Sequence, residues 1–173
     1  LAGELEPDEG TFTRGGTVLR MTQDVGRSSP NQTLREMLIE VAPPALRVAG
    51  RALVAAERAM LAGTSDGVEY AERLGDWGDL GGYELEGDWE AAAQRSVKTP
   101  VADFTTRKVG ELSGGERKRL VLDLLLTSRA DVLLLDEPDN YLDVPTRAWL
   151  EEQIRACRST ILMVSHDRTL LER

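Results

Sequence analysis

The chain has 173 residues and a formal net charge of −9, with one cysteine (Cys157), one histidine (His166) and three tryptophans. A lone cysteine excludes an internal disulfide framework and suits a reducing compartment. No apolar run approaches the roughly 18 to 20 residues that span a bilayer, and no amino-terminal stretch resembles a signal peptide, so the expectation is a soluble, cytoplasmic protein without membrane insertion. Thirty acids against 21 basic residues also exclude a generally basic nucleic-acid binder, unless positive charge is gathered locally.

Leu1-Ala2-Gly3 reads as the last turn of a helix closed by a glycine, and residues 167–173 read as a helix that has only begun. There is no initiator methionine, so the sequence is expected to be part of a longer polypeptide. Glu9 to Met21 alternates around Gly15-Gly16, which predicts a short antiparallel hairpin. From Gln32 to Gly63 the period becomes helical, with Leu34, Met37, Leu38 and Val41 in one stretch and Leu46, Leu53 and Met60 in the next. Ala42-Pro43-Pro44 divides the two. Residues 64 to 90 carry nine acids against the single base Arg73, a net −8 that is almost the whole excess of the chain. The remainder is near neutral, so overall charge does not speak against an RNA partner. Trp77, Tyr83 and Trp89 lie in that acidic segment and read as core anchors, since the local charge would repel phosphate.

After Pro100 helix and strand alternate. Glu116 to Ser128 is predicted helical, Val132 to Leu135 a strand buried on both faces, Val144 to Arg158 helical, and Thr160 to Val164 a second buried strand. Two such strands joined by a crossover helix make a βαβ unit and hence a parallel sheet. Trp149 and Cys157 read as packing residues.

Ligands of open α/β sheets gather at the carboxyl ends of strands. The first strand ends in Asp136-Glu137-Pro138 and the second in Ser165-His166-Asp167, so two carboxylates and the only histidine would meet at one sheet edge. Taken singly, the acids could be solvated loop residues and the histidine a helix start. Ser113 and Glu116 have capping-box spacing. Between them Gly114 and Gly115 leave the helix amino terminus open to an anion, although a plain capped helix has the same spacing.

Leu112-Ser113-Gly114-Gly115-Glu116 resembles the signature motif of ATP-binding-cassette (ABC) ATPases. Val132 to Pro138 is similar to their Walker B strand, Asn140-Tyr141-Leu142-Asp143 to the D-loop, His166 to the switch histidine and Gln23 to the Q-loop glutamine. Within that superfamily the chain resembles the ABC-F group, soluble proteins with two tandem cassettes. The group's D-E-P-T-N-H-L-D stands here as Asp136 to Asp143 with Asp139 and Tyr141 departing from it. The 88 residues between Gln23 and Leu112 leave room for the "arm" that the group's first cassette carries.

The resemblance implies an α/β fold: a partial P-loop ABC nucleotide-binding domain with parallel core strands, a short antiparallel hairpin and an inserted helical subdomain. Residues 1–24 would belong to the nucleotide-binding core with the hairpin and Q-loop, 25–108 to the helical subdomain with its arm insertion, and 109–173 to the signature helix, Walker B strand, D-loop and switch histidine. It further implies ATP and Mg²⁺ as ligands. Asp136 would hold the metal through water, Gln23 would sense metal and γ-phosphate, Glu137 would polarise the attacking water, and His166 would contact the γ-phosphate. Ser113, Gly114, Gly115 and Glu116 would serve the nucleotide of the opposite cassette, and Asp143 would communicate across the pair. The implied partners are a second cassette of the same parent chain and the ribosome, through ribosomal or transfer RNA, in translation or antibiotic resistance. The alternatives are the nucleotide-binding subunit of a membrane transporter and a noncatalytic module, the last leaving Asp136, Glu137 and His166 unexplained.

A P-loop needs G-x-x-x-x-G-K-[ST]. Lys98, Lys108 and Lys118 are the only lysines, and none stands in that pattern, so these 173 residues alone are expected to be inactive. Arg47, Arg51 and Arg58 fall within about 40° of one another on a helix, an edge that would suit RNA phosphate or a solvated face. Arg107, Lys108, Arg117, Lys118 and Arg119 flank the signature, where nucleotide or intramolecular acid pairing is expected.

Overall fold

The structure, a computed structural model, describes residues 8–11, 13, 15–21, 31–97 and 106–171. The strands β1 (Val18–Met21), β2 (Val132–Asp136) and β3 (Thr160–Val164) form one parallel sheet in the order β1-β2-β3. Register pairs Leu19 with Leu133 and Met21 with Leu135, and these in turn with Ile161 and Met163. Strand side chains alternate between faces, so this set shares one face, where Leu19, Met21, Leu133 and Leu135 are buried.

Two expectations are corrected here. The antiparallel hairpin is not seen among the described residues; Val18–Met21 pairs in parallel with β2 instead. The Gly-Gly break serves a close approach rather than a hairpin turn: a Cβ on Gly16 would meet Asp131 Oδ2 at 2.7 Å, and that same oxygen accepts from the Thr17 amide at 2.7 Å. Nor is either apolar run buried on both faces. Burial alternates along β2, and on β3 Leu162 and Val164 are 52% and 58% exposed. The described elements cover one side of the sheet, and β3 is an edge.

Between β1 and β2 lie α1 (Leu34–Glu40), α2 (Pro44–Leu61), α3 (Val68–Asp79), α4 (Gly82–Ser96) and α5 (Gly114–Thr127). A Thr33–Glu36 capping box starts α1, and Pro44 at the first position starts α2, where a missing amide proton costs nothing. The acidic segment becomes α3 and α4, joined through Leu80 and the left-handed Gly81. Trp77 and Trp89 are buried with ring centroids 6.1 Å apart, as core anchors should be. Tyr83 is not an anchor: it is 53% exposed and lies against Gly78, because the first turn of α4 turns it outward.

Almost every side of α5 is buried, from Lys118 through Leu126, as a helix at the centre of a domain must be. Its buried Asp123 is paired with Arg95 of α4 at 2.8 Å. A single antiparallel bridge, Thr33 to Lys108, with Leu34 N donating to Arg107 O and Val109 N to Gln32 O, ties the entry of α1 to the approach to α5. The helix α6 (Val144–Ala156) crosses from β2 to β3, and α7 (Arg168–Leu171) follows. Trp149 packs beneath Arg119, 5.0 Å from its ring centroid, and half-buried Cys157 joins the core margin, both in packing roles.

Candidate functional site

The carboxyl ends of β2 and β3 come together as the strand pattern requires. The Glu137 amide donates to Val164 O at 2.8 Å, which draws the turn after β2 against the end of β3. Glu137 itself has φ +47°, in the left-handed region, and its carboxylate is held at both oxygens. His166 Nε2 lies 3.2 Å from Oε1, and Asn140 Nδ2 donates to Oε2 at 3.1 Å. His166 is 89% exposed while the carboxylate is largely enclosed, so the histidine stands at the rim, open to an incoming group. Asp136 ends β2 at the same edge, in register with Val164.

Beneath this turn lies Lys118 of α5, 4% exposed, whose Nζ donates to Glu137 O at 2.5 Å and to Asn140 O at 2.9 Å. Burial pushes its ammonium below the ordinary lysine value, while the charges of Asp139, Glu137 and Asp136 pull it back up. Asp139 is itself 8% exposed, and its Oδ1 has no hydrogen-bond partner among the described residues. Neither Asn140 as a clamp on the carboxylate nor Lys118 as an inward tie was apparent as such from the sequence. The available signal was Asn140 standing three residues beyond Glu137 in a turn.

The signature helix starts on a complete capping box. Ser113 Oγ accepts from the Glu116 amide at 3.2 Å, while Glu116 Oε2 accepts from the Ser113 amide at 2.9 Å and from its hydroxyl at 2.7 Å. Those hydrogen bonds from Ser113 hold the Glu116 carboxyl below the ordinary glutamate value. A Cβ at Gly114 would meet nothing within 4 Å, and one at Gly115 only Tyr141 O at 3.9 Å. Crowding within the chain therefore does not call for glycine at either position, and the space before the helix is open to an external group. By helix geometry the amides of the first turn lack intrahelical acceptors, so this opening fits an anion. Asp143 caps α6, its Oδ1 accepting from the Thr146 amide at 3.0 Å, which lowers its carboxyl below the ordinary aspartate value.

Gln23 lies outside the described residues. Among the described residues there is no cluster of three or more His, Cys, Asp or Glu side chains able to hold a metal. The carboxylates that stand at this edge, Asp136 and Glu137, are oxygen donors of the kind a hard cation takes. A cleft of about 420 Å³ between α1 and α2 and another of about 650 Å³ bounded by α4, α5 and β1 contain none of Asp136, Glu137 and His166; the site is an open sheet edge.

Two of the three arginines on the expected basic edge of α2 are paired with acids within the fold. Arg51 pairs with Glu40, Arg58 with Glu36, and Arg47 donates to Ala42 O at 3.1 Å. The Arg51 guanidinium lowers the Glu40 carboxyl, and Glu40 raises Arg51 in return. No described helix is long and apolar enough to cross a membrane.

The ABC transporter family model matches residues 1–140. An "Antibiotic resistance protein" of Mycobacteroides abscessus is 45% identical over 100% of this chain and 32% of its own length. The "Tylosin resistance ATP-binding protein TlrC" of Streptomyces fradiae is 36% identical over the same shares, and the human "ATP-binding cassette sub-family F member 3" is 44% identical over 64% of this chain and 16% of its own. The chain thus spans about a third of the length of the first two of these relatives. In fold it is similar to the archaeal ribosome recycling factor aABCE1, solved in complex with ribosomal stalk protein aP1, with a TM-score of 0.53 at 24% identity over 99% of this chain and 26% of that one. A motif-bearing parallel sheet, an open signature helix and the family match agree: the chain belongs to the ABC transporter family.

Proposed function

We propose that this chain forms part of a cytoplasmic ATPase that hydrolyses ATP between two cassettes and acts on the ribosome. The observation that carries the reading is the Glu137 carboxylate, held by His166 and Asn140 at the carboxyl end of a parallel sheet beside Asp136. ATP with Mg²⁺, when bound, supplies a γ-phosphoryl group whose transfer asks for positioned charge more than covalent chemistry. Asp136 and Gln23 would hold the metal. Glu137 would orient a water and take its proton, with Asn140 fixing one carboxylate oxygen and His166 placed at the other to meet the γ-phosphate. Ser113, Gly114, Gly115 and Glu116 would present a helix amino terminus to the nucleotide of the second cassette, and Asp143 would mark the seam between the two.

The ribosomal part rests on the ABC-F resemblance and on relatives named for antibiotic resistance. Its test is co-sedimentation of the full polypeptide carrying Glu137→Gln with ribosomes, with and without ATP. ATP-dependent recovery in the ribosomal pellet is expected. Absence from the pellet under both conditions overturns the ribosomal assignment and favours a transporter's nucleotide-binding subunit.

A further inference from the structure

We propose that Lys118 is a positioning residue for Glu137: its ammonium ties the carbonyls of Glu137 and Asn140 together under the turn after β2 and thereby sets where the Glu137 carboxylate points. The proposal rests on the reading of Glu137 as the base.

Three observations converge on it. First, a lysine this deeply buried is seldom found without partners, and the two acceptors of Lys118 are backbone oxygens, not the acids around it. Second, those oxygens belong to the two residues whose side chains make the carboxylate arrangement, since Asn140 Nδ2 grips Glu137 Oε2. The backbone there closes only long bonds of its own, Asn140 N donating to Glu137 O and Leu142 N to Asp139 O at 3.3 Å each, while Glu137 has φ +47° and Tyr141 φ +64°, a region that non-glycine residues occupy only when their surroundings impose it. Third, the charge needed for such a tie is balanced locally by Asp139, buried beside it with one oxygen lacking a hydrogen bond. Asp139 is also a position where the chain departs from the ABC-F pattern. Lys118 also lies little more than one turn inside the helix that begins at Ser113, so the tie joins the anion seat to the carboxylate through one rigid element.

The test compares three forms of the full polypeptide: unmodified, Asp139→Thr, and Asp139→Thr with Lys118→Met. The double variant removes both buried charges, so it is not left with an unpaired acid. Relative to Asp139→Thr, kcat for ATP hydrolysis is expected to fall by roughly tenfold to 10²-fold with KM nearly unchanged, the pattern of a misplaced reacting group. Deuterium uptake by peptides spanning residues 136–143 should rise while that of α6 and β3 stays constant, a change that a general loss of packing would not confine to one turn. Equal kcat in the two variants, a change confined to KM, or unaltered uptake in 136–143 overturns the proposal. Absence of hydrolysis in the unmodified polypeptide instead overturns the ATPase reading, and the deuterium measurement then still decides the role of Lys118.

Discussion

Glu137 has lost the freedom a surface glutamate normally keeps, because each of its carboxylate oxygens faces a partner on a different segment. Glu137→Gln preserves the size of the group and removes its basicity. Nucleotide binding by the full polypeptide should persist while steady-state turnover slows by roughly 10² to 10⁴, the usual worth of a positioned general base. Turnover equal to that of the unmodified protein removes Glu137 from its role. The part of this arrangement that depends on strand ends, namely Asp136, Glu137 and His166 at one edge, was legible because two apolar runs terminate in those residues. Lys118 was not. It stands in the run Arg117-Lys118-Arg119, where pairing with nucleotide or with acids of the chain is the expectation, and the burial of α5 on nearly all sides turns the middle residue inward onto backbone carbonyls instead.

At the level of the element, the start of α5 depends on a reciprocal Ser113–Glu116 cap. Glu116 is held below its ordinary value by Ser113, so it should titrate below the usual glutamate range, and Ser113→Ala should bring it back up; carboxyl carbon chemical shifts followed against pH measure both. With the folded value depressed, the cap is fully stabilising above the unfolded glutamate value and is lost as pH falls through the folded one. A titration of Glu116 that Ser113→Ala leaves unmoved would show that the cap does not set it. Other elements were harder to read. The glycines and acids of residues 64–90 obscure the helical period of α3 and α4, yet Gly82 is where the ring of Trp77 sits so close that a Cβ would approach it to 2.2 Å. The arginines of α2 formed a visible edge, but their acids lie on α1, and no spacing within α2 reveals a partner on another helix.

For the molecule as a whole, the parallel sheet and its crossover follow from the strand pattern, whereas the covering of one sheet face alone does not, because an apolar run carries no mark of which neighbours are present. The sequence contains no G-x-x-x-x-G-K-[ST] to cradle the β and γ phosphates. These 173 residues by themselves should therefore bind Mg-ATP more weakly than micromolar and hydrolyse none; isothermal calorimetry giving micromolar affinity would contradict this. The sheet also has a bearing on how the chain folds. β1 pairs with β2 from Val18 to Val132, across 114 residues that include α1 to α5. During synthesis β1 would leave the ribosome long before its partner exists, and closing so long a loop is entropically costly until the intervening helices have compacted it. The helices α1 to α4 are thus the segments free to order early, and the edge that carries Asp136 and Glu137 is completed late, once β2 and β3 have been made.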